Sequence, residues 1–579
     1  MASFCTSCGT PIVPDSRFCS NCGARISNEN PQAASAPTPS SGRNAGLDAT
    51  PDAAMPTSST AKHAISKTSV LYVMPDDLGA AAVGIASAIA GASPVNRGTI
   101  LRVSKANALH QVQEALSQAA DNDELPTAIC LIGSDHDLPH TRLPDRAGTR
   151  DIEVLTDNFF GMRQTPLEED RYRGDILPEI PVSRLPTLDP ALLARLLSLG
   201  SDLPASWQGA LAVSADAWRT QSEAVLQHIA GDSNTALTLS PPQDADAIAR
   251  KMTTRPHRLY FNVHGSDQTT DWYGDGNGQQ PIILKRPDIC VAPGAIVTSE
   301  ACYGALQWPG EDSVSGSFLN QGASVFMGST ILAWGPAGGN APPNLADLMV
   351  MGFYEGLDQG MGVAHAMLYA KESYLASILA QDEVLNPNEH NTLTSFLVYG
   401  PPMATVIGTR PTSSPSAKNV ASTESPTPAN LSGGPGSSTS TLDRLRARTS
   451  GSAGTKSDGQ SALERVRAQM RAGASQDSTI GRVRQGLSNR LPAESWQLIN
   501  DARIQASEIP RSLRDYNQII DSIHRRLNGK PEHLRVVDYR SRGAPRKFLM
   551  AWTFQATTQR AVAFVLDEHG QIMREMVTR

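Results

Sequence analysis

The sequence predicts an α/β protein built on a mostly parallel sheet, with a small module at each end. Three observations carry this. Between about residues 68 and 410, short apolar runs alternate with helical stretches, which is the pattern of a layered α/β architecture. Two stretches rich in Ala, Pro, Ser, Gly and Thr, residues 27–67 and 411–487, set that block apart from its ends. The chain, at 579 residues, is also too long for one hydrophobic core.

The N-terminal module, residues 1–26, is defined by Cys5-x-x-Cys8-Gly9 and Cys19-x-x-Cys22-Gly23, two knuckles with ten residues between them. Four thiolates at this spacing suit tetrahedral zinc, and so short a segment builds no core without a staple. The module therefore reads as a zinc ribbon holding a structural Zn2+ on Cys5, Cys8, Cys19 and Cys22. Two disulfides are the alternative, and they require an oxidising compartment. Residues Met1 to Thr10 show neither the basic nor the apolar region of a secretory signal, so a cytoplasmic, reducing location is expected. Arg17 and Arg25 are offset by Asp15 and Glu29, and the whole chain carries a formal charge of −7. Nucleic-acid affinity grows with the number of phosphates neutralised, so the ribbon is expected to be structural or to dock a protein.

Residues 27–67 have almost no apolar periodicity and are expected to be disordered. Beyond them, strands are predicted at Ser69–Met74, Thr99–Val103, Thr127–Gly133, Leu211–Ala215, Leu259–Val263, Ala295–Ser299, Ala323–Gly328 and Phe396–Tyr399. Helices are predicted at Asn107–Ala120, Pro190–Leu199, Thr220–Ala230 and Gly362–Leu379. The longest apolar stretch, Ala80 to Ala92, is too short to span a bilayer and reads as another helix. Of the seven cysteines, Cys130 and Cys290 sit within or beside apolar runs and are expected to be buried thiols.

Chemistry concentrates where two of these strands end. Leu259 to Gly265 delivers His264, and Ala295 to Gly304 delivers Cys302. Side chains just beyond the carboxyl ends of adjacent parallel strands share one crevice, so the two can meet there. An imidazole beside a thiol raises its reactive fraction, and Gly265 and Cys302 can aim backbone N–H groups at a developing oxyanion. The small neighbours Gly265, Ser266, Ala301 and Gly304 leave room for a substrate backbone.

These residues also carry a family resemblance. Val263-His264-Gly265-Ser266, Asp271-Trp272-Tyr273-Gly274 and Glu300-Ala301-Cys302-Tyr303-Gly304 resemble the gingipain family of cysteine peptidases, within the caspase-like clan. Further similar segments follow the same order: Ile129 to Asp135 with Leu138-Pro139, Thr156 to Gly161, Ile180 to Leu185, and Phe396 to Gly400. Ser183 stands where the family usually has Gly, and Pro401 where it has Asp. The resemblance covers about residues 68–410 and implies a caspase-like parallel-sheet sandwich in two subdomains, about 68–199 and 200–410. It implies Cys302 as nucleophile, His264 as general base and acid, and protein or peptide substrates, with no cofactor needed for catalysis. It further suggests Asp157 as a pocket carboxylate for Arg or Lys, against an Asp that merely caps a turn before Phe159 and Phe160. Trp334 matches an aromatic that walls that pocket, or is a buried core aromatic. An inactive peptidase-fold scaffold is the competing class, disfavoured because both His264 and Cys302 are present. A thiol hydrolase or acyltransferase other than a peptidase is a second.

The second low-complexity stretch holds three similar segments, Ser440 to Ala447, Ser461 to Ala468 and Ser478 to Arg484, each a Ser followed by a short basic helical pattern. They are expected to be solvated, to dock a partner groove, or to be processed by the enzyme itself. Residues 488–579 are predicted as a small α+β domain. Its helices fall at Glu494–Ala506 and Ser512–Leu527, and its strands near Leu534–Tyr539, Phe548–Gln555, Arg560–Leu566 and Ile572–Met576. The alternation of Ala561 and Ala563 with Val562 and Phe564 predicts a half-exposed antiparallel sheet.

Overall fold

The computed structural model describes residues 69–406 and 509–578, apart from 146, 148–150, 152, 173, 232, 308–312, 338–340, 380–383, 510, 528, 542–543 and 556–557. The zinc ribbon, both low-complexity stretches, the three basic segments and the helix expected at Glu494–Ala506 lie outside the described residues.

The strands run in chain order as β1 (Val70–Pro75), β2 (Gly98–Val103), β3 (Ala128–Ile132), the ribbon β4 (Thr141–Pro144) and β5 (Glu153–Thr156), and β6 (Val182–Leu185). They continue with β7 (Leu211–Ala215), β8 (Leu237–Ser240), β9 (Arg258–Asn262), the ribbon β10 (Trp272–Tyr273) and β11 (Ile282–Leu284), β12 (Ile296–Ser299), β13 (Val325–Ser329), β14 (Trp334–Pro336) and β15 (Phe396–Tyr399). The C-terminal region adds β16 (His533–Ser541), β17 (Ala544–Gln555), β18 (Thr558–Leu566) and β19 (Ile572–Thr578).

Ten of these form one sheet in the order β2-β1-β3-β6-β15-β13-β12-β9-β7-β8. Every pairing is parallel except β13 with β15. The central strands are apolar runs buried on both faces, as parallel strands under helices must be. Alternation along them divides the core. Leu71, Val73, Ile129 and Leu131 pack with Val112 and Leu116 of the helix Ala108–Asp121 on one face. Tyr72, Met74, Cys130 and Ile132 pack on the other against the helices Ala81–Ala90 and Pro190–Leu197. The two expected subdomains are continuous here: β15, from the end of the peptidase-like block, inserts beside β6 and joins both halves into one sheet. The strand β8, Leu-Thr-Leu-Ser, was not anticipated, because four residues ending at two prolines carry little periodic signal.

The C-terminal region is a helix, Tyr516–Leu527, followed by an antiparallel meander β16 to β19, with β14 as a fifth strand. Here the structure corrects the half-exposed sheet. Val562 and Phe564 lie under the helix with Ile519 and Ile523, while Ala561 and Ala563 face the peptidase core with Met550 and Met576. Both faces are buried, and the small side is small because another layer sits on it. Cys130 is fully buried as expected, and burial pushes its thiol up to about 12. Cys290 is only partly buried, because it stands in the loop before β12 at the edge of the core. Among the described residues, no helix is long and apolar enough to cross a membrane.

Candidate active site

Strand register sets the positions of His264 and Cys302. β9 and β12 are parallel neighbours with Arg258 opposite Ile296, Tyr260 opposite Thr298 and Phe261 opposite Ser299. Carried three residues past the last pair, that register brings His264 level with Cys302 at the carboxyl end of the sheet, with strands about 4.8 Å apart. The turns that follow are in direct contact. A Cβ on Gly265 would stand 1.7 Å from the Cys302 carbonyl oxygen and 2.8 Å from its carbon, so only glycine allows this approach. Tyr303, directly after Cys302, holds a left-handed φ of 59°, a strained conformation for a bulky residue and one found at functional turns.

Each of these two residues is then fixed from outside its strand. The His264 backbone exchanges two hydrogen bonds of 2.9 Å with Tyr273, and its ring meets Trp218 edge-on at 4.6 Å. Its Nε2 donates to Asp275 Oδ2 at 3.1 Å. Asp275 is itself anchored through its backbone, donating to Ser240 and accepting from Ala217. Burial alone would raise its carboxyl, but His264 and Arg560 outweigh that and hold it below the usual carboxylate range. Arg560 Nη2 lies 3.2 Å from the same Oδ2 and comes from β18, more than 250 residues away in sequence. The Cys302 Sγ accepts from the Ala333 N–H at 3.3 Å and lies 3.7 Å from the Ala333 carbonyl. Cys302 is 1% exposed and His264 3%.

A group of carboxylates stands around Tyr303, next to Cys302. Tyr303 donates its hydroxyl to Asp151 at 2.9 and 3.0 Å, and the Leu332 N–H also bonds Asp151. Burial, then the neighbouring Asp145 and Asp267, push the Asp151 carboxyl up to about 8.

Asp157 has a different setting from the one expected. Arg184 reaches it with two bonds, Nε to Oδ2 at 2.9 Å and Nη2 to Oδ1 at 2.7 Å, and His140 adds a third at 2.7 Å. Asp157 is buried, and although burial opposes its charge, Arg184 and His140 hold its carboxyl far below the usual range. A carboxylate neutralised from within the protein offers little charge to a substrate. Trp334 is fully buried in β14, opposite Thr578, which is the core-aromatic alternative. The fold places His264 and Cys302 at neighbouring strand ends with Gly265 against the Cys302 backbone, whereas Asp157 and Trp334 are engaged by the protein itself. Asp275 was missed, although an Asp between two glycines just after Trp272-Tyr273 is a visible signal. Arg560 left none. Among the described residues, no group of three or more His, Cys, Asp or Glu could hold a metal ion, and the four N-terminal cysteines lie outside them.

Among curated proteins, none matches. A solved structure described as a protease is 11% identical, covering 58% of this chain and 78% of its own, with a TM-score of 0.42. The Arg-specific cysteine proteinase gingipain R is also 11% identical, covering 59% and 79%, with a TM-score of 0.42. Residues 4–26 match the zinc-ribbon domain. The profile of peptidase family C25 matches residues 103–407, more than half of the chain, including β9 and β12; the chain belongs to peptidase family C25, the gingipain family of cysteine peptidases.

Proposed function

We propose that this C25 peptidase is an endopeptidase working through a Cys302–His264 dyad, with Asp275 orienting the histidine. The observation that carries it is the β9–β12 register, which brings His264 and Cys302 level while Gly265 packs on the Cys302 carbonyl. His264 takes the thiol proton as Sγ attacks the substrate carbonyl carbon. The oxyanion then accepts N–H groups from Gly265 and Cys302, each worth about 2.7–4 kcal/mol in comparable sites. The imidazolium returns its proton to the leaving amine, and water cleaves the thioester by the same base. Asp275 can only accept a hydrogen bond, so it holds the tautomer with the proton on Nε2 and stabilises the imidazolium.

A preference for Arg or Lys on the acyl side is the finer part of this reading. Its support is Asp151, braced between the residue after the nucleophile and the Leu332 amide, with Asp145 and Asp267 close by. A cationic side chain entering there would offset the burial, and the repulsion from Asp145 and Asp267, that keep the Asp151 carboxyl high. The ribbon is read as holding one structural zinc on Cys5, Cys8, Cys19 and Cys22, in a protein of the reducing cytoplasm. Its four thiolates, and the three free thiols elsewhere, suit that compartment. The ribbon is taken as a protein-docking module.

The test is turnover of fluorogenic peptides bearing Arg, Lys, Asp or Leu before the scissile bond. Cys302→Ala and His264→Ala should abolish it, and Asp151→Asn should selectively slow the basic peptides. Thiol-independent turnover, or none with any peptide, would sink the endopeptidase reading. Metal analysis should find about one zinc per chain, lost in Cys5→Ser.

A further inference from the structure

The C-terminal sheet is built into the active site at two points. The first is a strand pairing. β19 runs antiparallel to β14, with Met576 opposite Pro336, Val577 opposite Gly335 and Thr578 opposite Trp334. Ala337 N–H bonds the Glu575 carbonyl at 3.3 Å, continuing the ladder. Each step along β19 therefore approaches Ala333, whose N–H lies 3.3 Å from the Cys302 Sγ. The second is the ion pair of Arg560, on the adjacent β18, with the oxygen of Asp275 that also holds His264. Met550, Ala563 and Met576 share one core with Cys302, Tyr303 and Trp334. Arg574 pairs with the buried Glu389.

Direction matters here. The acyl half of a peptide substrate must run N to C toward the nucleophile, and an extended peptide is commonly held by adding a strand to an exposed edge. β19 runs N to C toward Cys302 along the edge of the strand that follows Ala333. It has the place and polarity of a substrate's acyl half.

We propose that the C-terminal sheet is an intramolecular competitor of substrate, with β19 occupying the β14 edge and covering the dyad until it is displaced. This rests on the peptidase reading for what is inhibited, and on geometry alone for what is covered. A tethered strand competes at an effective concentration on the order of millimolar, so free peptides of ordinary affinity lose to it. The ladder can also open locally. Along an antiparallel strand the N–H and C=O of one residue point to the same neighbour. With 337 and 575 bonded, the bonded pair two residues on is Gly335 with Val577. The Val577 amide thus serves β14 and not β18, and β19 can leave β14 while its own sheet stays intact.

The experiment uses the full chain and reads accessibility apart from catalysis. Val577→Pro removes the amide that reaches β14, and Ala563→Glu places a charge on the face against the peptidase core. Under native conditions, iodoacetamide labelling of Cys302 is measured relative to Cys130, which is fully buried in the central sheet and reports global unfolding. We expect the Cys302 to Cys130 labelling ratio to rise at least tenfold in both variants, with a parallel rise in peptide turnover. An unchanged or lower ratio in both variants overturns the proposal, as does turnover that falls while the ratio holds. A raised ratio with no turnover in any variant supports the covering strand and refutes the peptidase reading instead.

Discussion

Gly265→Ala is the sharpest perturbation of the site. The added carbon would sit 1.7 Å from the Cys302 carbonyl oxygen, 2.8 Å from the carbonyl carbon and 3.3 Å from the Cys302 amide. An ordinary Cβ does not come closer than 3.0 Å to a neighbour. The two turns must therefore part by more than an ångström, and both are backbone with no flexible side chain to give way. A misplacement of about 1 Å at a reacting pair costs about 10²-fold in rate, and overpacking costs about 1–3 kcal/mol in stability. We expect kcat/KM to fall at least a hundredfold while the protein remains folded, with Tm lowered by only a few degrees. The control is Gly200→Ala, whose added carbon would meet nothing closer than 3.8 Å. The assay pairs peptide turnover with thermal unfolding for both variants. Activity of Gly265→Ala within threefold of the wild type would refute the contact between the two turns, and with it the dyad geometry.

Other outcomes follow from the buried charges. Asp157→Asn strands the Arg184 guanidinium, which is fully buried; removing one partner of such a pair costs about 3–5 kcal/mol. Chemical denaturation should show that loss with preference for basic peptides intact, whereas an unchanged stability with lost preference would return Asp157 to the pocket. The sign for pH follows from the depressed Asp157 carboxyl: the pair's stabilisation is present at neutral pH and is lost as pH falls below the ordinary carboxylate range. Asp151 has the opposite sign. With its carboxyl raised to about 8, the folded state binds more protons than the unfolded chain between the ordinary carboxylate range and that value, so stability falls as pH rises across it and levels off above. Denaturation at pH 5 and pH 8 should show Asp151→Asn gaining about 1–3 kcal/mol relative to the wild type at the higher pH, a figure discounted for the partial exposure of Asp151. No gain would mean that the carboxyl is already ionised there.

Much of this architecture was legible as local pattern. Ala128 to Ile132 and Leu211 to Ala215 are short, nearly continuous apolar runs of the kind a strand buried on both faces carries, and the structure places strands there. The helix expected at Gly362–Leu379 stands at Val363–Leu379, and the C-terminal strands fall within a few residues of their expected positions. His264 and Cys302 were legible because each follows directly on such a run, so chain order alone sets them at strand ends. Where the reading failed, the missing information was a partner. Ala561 and Ala563 look like a solvent face until the peptidase core is seen against them.

By itself, then, the sequence determined the periodic elements, the family and the strand-end positions of His264 and Cys302, because hydrophobic periodicity and strand-end position are properties of neighbours in the chain. Only the tertiary structure decided what each charge does. Asp157 is spent on Arg184, and Asp275 is shared between His264 and Arg560. Asp151 is crowded by Asp145 and Asp267. A carboxylate's role depends on which cation or carboxylate stands close to it, and that pairing joins residues separated by anything from a few positions to the 285 between Asp275 and Arg560, with no periodicity to announce it.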